Sequence, residues 1–188
     1  MEFPNDKEMA LFVGENADKF MYRWQPLLRG GKTNAKFNYA ALFLGPYWFA
    51  YRKMYKESLI IALFGIVLYM ILKIMLKSWD PFENIENISA ENRDLLKMYL
   101  LLFPAYLNGI LLLPVYFMVG LLSNKWYLQH MTQTIESIKL KRLADDDYLK
   151  AIENAGGTNG IAVVIVVFCS AIVNLVILNI TLSGLISK

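Results

Sequence analysis

Three long apolar blocks, separated by stretches in which charges recur every few residues, dominate the pattern of the chain. The first, at 58–76, reads SLIIALFGIVLYMILKIML and carries one charge, Lys73, near its end, where a long side chain can reach the interface. The second, at 98–122, and the third, at 160–187, carry no charge at all. A helix of about 20 apolar residues crosses a hydrocarbon core, so each block predicts a span. The Val and Ile of the third block do not predict strands, because an open strand in lipid leaves backbone groups unpaired and barrel strands alternate over about ten residues. The predicted fold is all-α: a polytopic helical membrane protein with three transmembrane helices and one interfacial or re-entrant helical element.

That extra element is a fourth apolar block, YAALFLGPYWFAY at 39–51, which is too short to span and holds Gly45-Pro46 in its middle. Proline removes a backbone donor and disfavours helix at the residue before it, so two short pieces meeting at a bend are expected. Arg52 and Lys53 follow at once, placing cations on the lipid-phosphate side of an aromatic segment. The predicted organisation is a cytosolic segment at 1–36, an aromatic and basic element at 37–57, and a membrane domain at 58–188. Within the last, residues 123–159 form a cytosolic helical loop. The second helix is expected to extend through 124–141. Asp145 is expected to cap a short helix ending at Gly156-Gly157, and Thr158 or Asn159 to cap the third span. Residues 28–34, LRGGKTN, read as a turn.

Composition sharpens this picture. The chain of 188 residues is 56% hydrophobic and 19% charged, with a mean hydropathy of +0.37, richer in apolar and poorer in charged residues than soluble domains. Residues 1–30 lack the apolar core of a secretory signal, so the first span is expected to serve as a signal-anchor. Nine Lys and Arg precede that span, four lie at 73–97, five at 125–150 and one, Lys188, after the third span. The positive-inside bias puts the N-terminus and the 125–150 loop in the cytosol, with the C-terminus and an acidic loop carrying Asp80, Glu83, Glu86, Glu91 and Asp94 outside. Trp24, Trp48, Trp79 and Trp126 sit beside apolar blocks, as an aromatic belt requires. The net charge of +3 falls short of a nucleic-acid footprint, and no nucleic-acid partner is expected.

Residues 37–55 fit the pattern FNxAAxxxGPxWxxYRKMY. This segment resembles the signature of the domain-of-unknown-function 2628 family of small bacterial integral membrane proteins. Val13-Gly14, Gly30-Gly31-Lys32 and Gly156-Gly157-Thr158-Asn159 are similar to other parts of that family, so the likeness covers roughly 12–160. Tyr39 stands where many relatives have Trp. The resemblance implies a multi-pass protein of the bacterial inner membrane and supplies no activity, substrate or catalytic residue.

Candidate chemistry is sparse. Cys169 is the only cysteine and His130 the only histidine, which rules out an intrachain disulfide, a cysteine zinc motif and a histidine cluster. His130, beside Trp126 and Tyr127, reads as an interfacial or packing residue, and Cys169 as a small packing residue. Asp145-Asp146-Asp147 reads as a helix start before it reads as a cation site. Asn87-Ile88-Ser89 matches a glycosylation acceptor, which matters only in a eukaryotic secretory pathway. No catalytic residue, metal site or cofactor is predicted, and an enzyme is not expected.

Two sets of residues remain. Tyr47, Trp48, Tyr51, Arg52, Lys53, Tyr55 and Lys56 combine cations with an aromatic floor, a composition suited to anionic headgroups or an acidic partner segment, although the same residues can serve only as an anchor that fixes topology. Asn108, in a span that also holds Pro104, Gly109 and Pro114, can bond across helices to Asn174 or Asn179. The expected function is therefore that of a non-enzymatic accessory, regulatory or scaffold component working through contacts with membrane lipids, a membrane-protein partner or further copies of itself. The alternative is a subunit of a small oligomeric transporter or channel, because broken helices line transport sites.

Overall fold

The computed structural model describes residues 3–30, 36–77 and 90–186, and all regular structure among them is helical. In order, the helices are α1 (Asp6–Val13), α2 (Ala17–Leu28), α3 (Tyr39–Leu44), α4 (Pro46–Tyr51), α5 (Tyr55–Lys77), α6 (Ala90–Lys139), α7 (Asp145–Ala155) and α8 (Gly160–Ile186). Three of them, α5, α6 and α8, are long and apolar enough to cross a membrane. The protein is thus a polytopic helical membrane protein: the spans expected at 58–76 and 98–122 lie inside α5 and α6, and the span expected at 160–187 follows α8 as far as Ile186. Trp79, the acidic residues at 80–86, the 87–89 triplet and the 31–34 turn lie outside the described residues.

The chain forms two compact units. Unit 1 comprises Met1–Leu59 with Tyr116–Phe168, and unit 2 comprises Ile60–Val115 with Cys169–Lys188. Unit 2 is made of helices whose apolar side chains mostly face outward; Leu112 is its one buried hydrophobic residue among those described. Asn108 Nδ2 donates to the Gly65 carbonyl of α5 at 3.5 Å, and Lys73 Nζ donates to the Ile177 carbonyl of α8 at 3.4 Å. The helix of α6 runs on through Pro104 and Pro114.

Unit 1 has a true core. Its helix α1 starts with a capping box, in which Asn5 Oδ1 accepts from the Glu8 N–H and Glu8 Oε2 accepts from the Asn5 N–H. Met9, Phe12 and Val13, at i, i+3 and i+4, present one buried face, and Phe20 and Trp24, four apart on α2, present another. The end of α1 meets the end of α7, where the Gly157 N–H donates to the Phe12 carbonyl at 2.7 Å. Gly156 has to be glycine here, since a Cβ would run into that carbonyl. Asn159 caps α8 by accepting from the Ala162 N–H at 3.0 Å. Asp145 is not a cap: Ala144 holds that position, and all three aspartates fall in the first turn of α7, where their charge favours the helix dipole.

Candidate functional site: an arginine enclosed by aromatic rings

The segment at 36–38 is fixed before the helices that follow it begin. Asn38, fully buried, donates its backbone N–H to the Gly120 carbonyl at 2.9 Å. Its Oδ1 caps α3 by accepting from the Ala41 N–H, and its Nδ2 donates to Asn124 Oδ1 at 3.2 Å. Asn124 in turn donates to the Lys36 carbonyl, and its own carbonyl accepts from Trp24 Nε1 at 2.8 Å. A buried amide is costly unless bonded, and this pair bonds backbone and side chains on three stretches of chain. Phe37 lies against Gly120, where a Cβ would approach its ring to 2.6 Å.

The bend expected at Gly45-Pro46 is present. Gly45 has φ +48° and ψ −123°, so glycine is favoured there, and the Tyr116 ring also crowds the place of a Cβ. Pro46 occupies the first position of α4, where its missing N–H costs nothing. Its carbonyl accepts from Ser58 Oγ at 2.8 Å. The bend divides the segment by environment. Tyr39, Phe43 and Leu44 on α3 are exposed, Phe43 at 80%, whereas Trp48, Phe49 and Ala50 on α4 are buried.

At the end of α4 the chain turns through Arg52 and Lys53, the latter with φ +59°. Lys53 Nζ donates to the Asn154 carbonyl at the end of α7, 2.9 Å away, and the Asn159 N–H donates to the Tyr51 carbonyl at 2.8 Å. Arg52 points inward and is 7% exposed. Its guanidinium carbon lies 4.6 Å from the ring centroid of Phe20, 5.4 Å from that of Tyr127 and 5.7 Å from that of Tyr51. Tyr127, wholly buried, is the centre of the cluster, with the rings of Phe20, Trp24, Trp48 and Phe12 at centroid distances of 5.2–6.3 Å. Such aromatic pairs each add about 0.5–1.5 kcal/mol beyond the area they bury.

A family model described as "Protein of unknown function (DUF2628)" matches residues 7–133. The chain belongs to this family. The DUF2628 match takes in Asn38, Gly45, Arg52, Asn124 and Tyr127, and it ends before α7. No curated protein and no solved structure matches the chain.

Placed on this DUF2628 chain, the sequence-predicted residues separate into two groups. Tyr51, Tyr55 and Lys56 are exposed, and Tyr47 and Lys53 are half-buried, whereas Trp48 and Arg52 are inside the unit. Trp24 and Trp48 belong to the core and not to an exposed belt, because they lie on the buried faces of α2 and α4 and their indoles pack against Tyr127 of α6. Asn108 bonds to α5, not to Asn174, whose Nδ2 donates to the Ser170 carbonyl of its own helix at 2.7 Å; Asn174 and Asn179 are exposed. His130 packs edge-on against Phe12, and Cys169 is exposed on α8. Among the described residues no group of His, Cys, Asp and Glu has a metal-binding arrangement.

Sequence reading missed Phe12, Phe20, Asn38, Asn124 and Tyr127 as parts of the site. A second missed junction is Glu8, 6% exposed, which accepts from Lys139 Nζ at 3.1 Å and from the Tyr148 hydroxyl at 2.5 Å. Burial alone raises the Glu8 pKa, but the bonds from Tyr148, Lys139 and Asn5 outweigh it and hold the carboxyl below its ordinary value.

Proposed function

We infer that this protein is a non-enzymatic accessory or scaffold component of the bacterial inner membrane, which carries unit 1 on the cytosolic side and works through contacts made by its exposed aromatic and basic surface. The observation that carries this reading is the division at Gly45. One side of the bend feeds the core, while Tyr39, Phe43 and Leu44 on the other side stay uncovered, followed by exposed Tyr51, Tyr55 and Lys56. Contiguous exposed apolar side chains rimmed by polar ones mark protein or membrane contact sites. The lysine and arginine distribution favours the cytosolic side for this unit.

Affinity purification of the tagged protein in native membrane discs, with mass spectrometry of proteins and lipids, tests this. The wild type is expected to bring down a stoichiometric protein partner or an enriched anionic lipid. A triple variant, Tyr51→Ala, Tyr55→Ala, Lys56→Ala, is expected to lose it while still reaching the membrane. An unchanged set of companions in that variant reduces the surface to an anchor.

A further inference from the structure

Helix α3 carries no charge, and it is held at a definite height on two spanning helices. At its start the Asn38 N–H donates to the Gly120 carbonyl of α6, and the half-buried Phe37 ring packs on Phe117 with centroids 5.5 Å apart. At its end the Pro46 carbonyl accepts from Ser58 Oγ of α5, and the Tyr116 ring of α6 stands against Gly45. All of these residues belong to unit 1.

Both attachments give the same depth. Ser58 is the first residue of the apolar block at 58–76, and Phe117 and Gly120 fall in the last turns of the uncharged stretch at 98–122. The first charge beyond that stretch is Lys125, and at about 1.5 Å per residue Phe117 stands roughly 12 Å along α6 from it. A helix lying in the interface sinks its apolar face about 5–10 Å into the boundary of headgroups and acyl chains, so α3 sits at the depth of such a helix.

One side of α3 meets the protein and the other is bare. Ala41 is fully buried, whereas Tyr39, Ala40, Phe43 and Leu44 are exposed and fall within about 140° of the helix circumference. Through the ring contacts of Tyr39 with Phe37, at 4.9 Å, and of Phe37 with Phe117, this side continues onto exposed Phe117 and Met118 of α6. A spanning helix turns such residues toward acyl chains, and a surface continuous with them at the same depth meets the same solvent. The six residues of α3 also suit the boundary and not the hydrocarbon centre, because a short helix leaves end groups that need headgroups or water.

We propose that α3 is immersed in the boundary layer of the leaflet on the side of unit 1, with Tyr39, Phe43 and Leu44 against lipid acyl chains, so that lipid and not a protein is the partner of this surface. The inference deepens the contact reading above and rests on it for the uncovered surface of α3. Helix α4, beyond the bend, is packed in the core and takes no part.

For the test, Phe43→Cys is combined with Cys169→Ser, which removes the native thiol, and the whole protein is spin-labelled and reconstituted in vesicles of phosphatidylcholine and phosphatidylglycerol. Lys141→Cys, at an exposed position 16 residues beyond Lys125, is treated likewise as the water-facing control. Power saturation of the spin resonance signal measures collisions with oxygen, which concentrates in lipid, and with a nickel chelate, which stays in water. The label at 43 is expected to show an oxygen-to-chelate ratio several times that of the label at 141. Equal ratios would put α3 in water and overturn the proposal; a label at 43 reached by neither reagent would put a protein, such as a second copy of this chain, on the face and overturn it as well. Leu44→Cys, on the same exposed side, takes the place of Phe43→Cys if tryptophan emission shows that the latter does not fold. The vesicles hold only this chain and lipid, so the two readings fail separately. Unchanged companions in the triple variant above defeat the contact reading, and the collisions at 43 alone decide this one.

Discussion

Unit 1 and unit 2 are built from the same chain with opposite solutions to the burial of apolar surface. Unit 1 turns Phe12, Phe20, Trp24, Trp48, Phe49 and Tyr127 inward and bonds its buried amides to one another. Unit 2 buries Leu112 and leaves Leu63, Phe64, Ile74, Ile110, Leu113 and Leu175 uncovered. Water would not tolerate the second arrangement, and lipid would not require the first. The difference teaches that one part folds by hydrophobic closure, whereas the other is held by the bilayer with helix packing as a smaller term.

The sharpest way to break this contrast is at the α1 and α7 junction. Gly156→Ala drives a Cβ into the Phe12 carbonyl, so it is expected to cost unit 1 about 3 kcal/mol or more. Tryptophan emission, which reports on buried Trp24 and Trp48, should shift red at lower temperature, while the far-ultraviolet helical signal of α5 and α8 persists. Simultaneous loss of both signals would mean that the units do not differ in what holds them.

A smaller effect is expected in unit 2. Asn108→Leu removes the bond to the Gly65 carbonyl, and interhelical polar bonds in membranes are worth about 0.6 kcal/mol. Denaturation in detergent should move by no more than that order, leaving tryptophan emission unchanged. A drop as large as that of Gly156→Ala would show a core in unit 2 that its exposed side chains deny.

The smallest effect comes from acid. The Glu8 carboxyl titrates lower in the folded protein than its ordinary value of 4.5, so its contribution is present in full above that value and is lost as pH falls through the folded pKa. Unit 1 should therefore be indifferent to Glu8 ionisation at neutral pH and lose stability only in the acid range below about 4.5. Glu8→Gln should flatten this acid limb of a pH series of melting temperatures; an unflattened limb would assign the loss to other carboxylates.

The membrane helices were legible because their blocks are continuous, and lipid tolerates little else. The bend at Gly45 was legible from proline chemistry alone. The core of unit 1 was harder to see. Met9, Phe12 and Val13 do carry the helical spacing, and Asn5 with Glu8 forms a capping box, but each helix is short and separated by Gly14-Glu15-Asn16 from the next. Arg52 reads as a surface cation because charge is usually solvated, and only the rings of Phe20 and Tyr127, 32 positions before it and 75 after it, place it inside. Asn38 and Asn124 likewise meet across 86 positions. Local pattern carries no signal for such pairings.

That separation sets the order of events during synthesis. Residues up to Leu59 complete one part of unit 1, but Tyr127 and Asn124 on α6 emerge only after α5 and the first part of α6 have been made. At about 5–20 residues per second, the indole of Trp24 and the guanidinium of Arg52 wait for several seconds without their partners. During that interval the aromatic residues of α2 and α4 lack the Tyr127 ring they pack on. The core of unit 1 is therefore closed from the C-terminal side, by residues of α6 made long after the helices they cover.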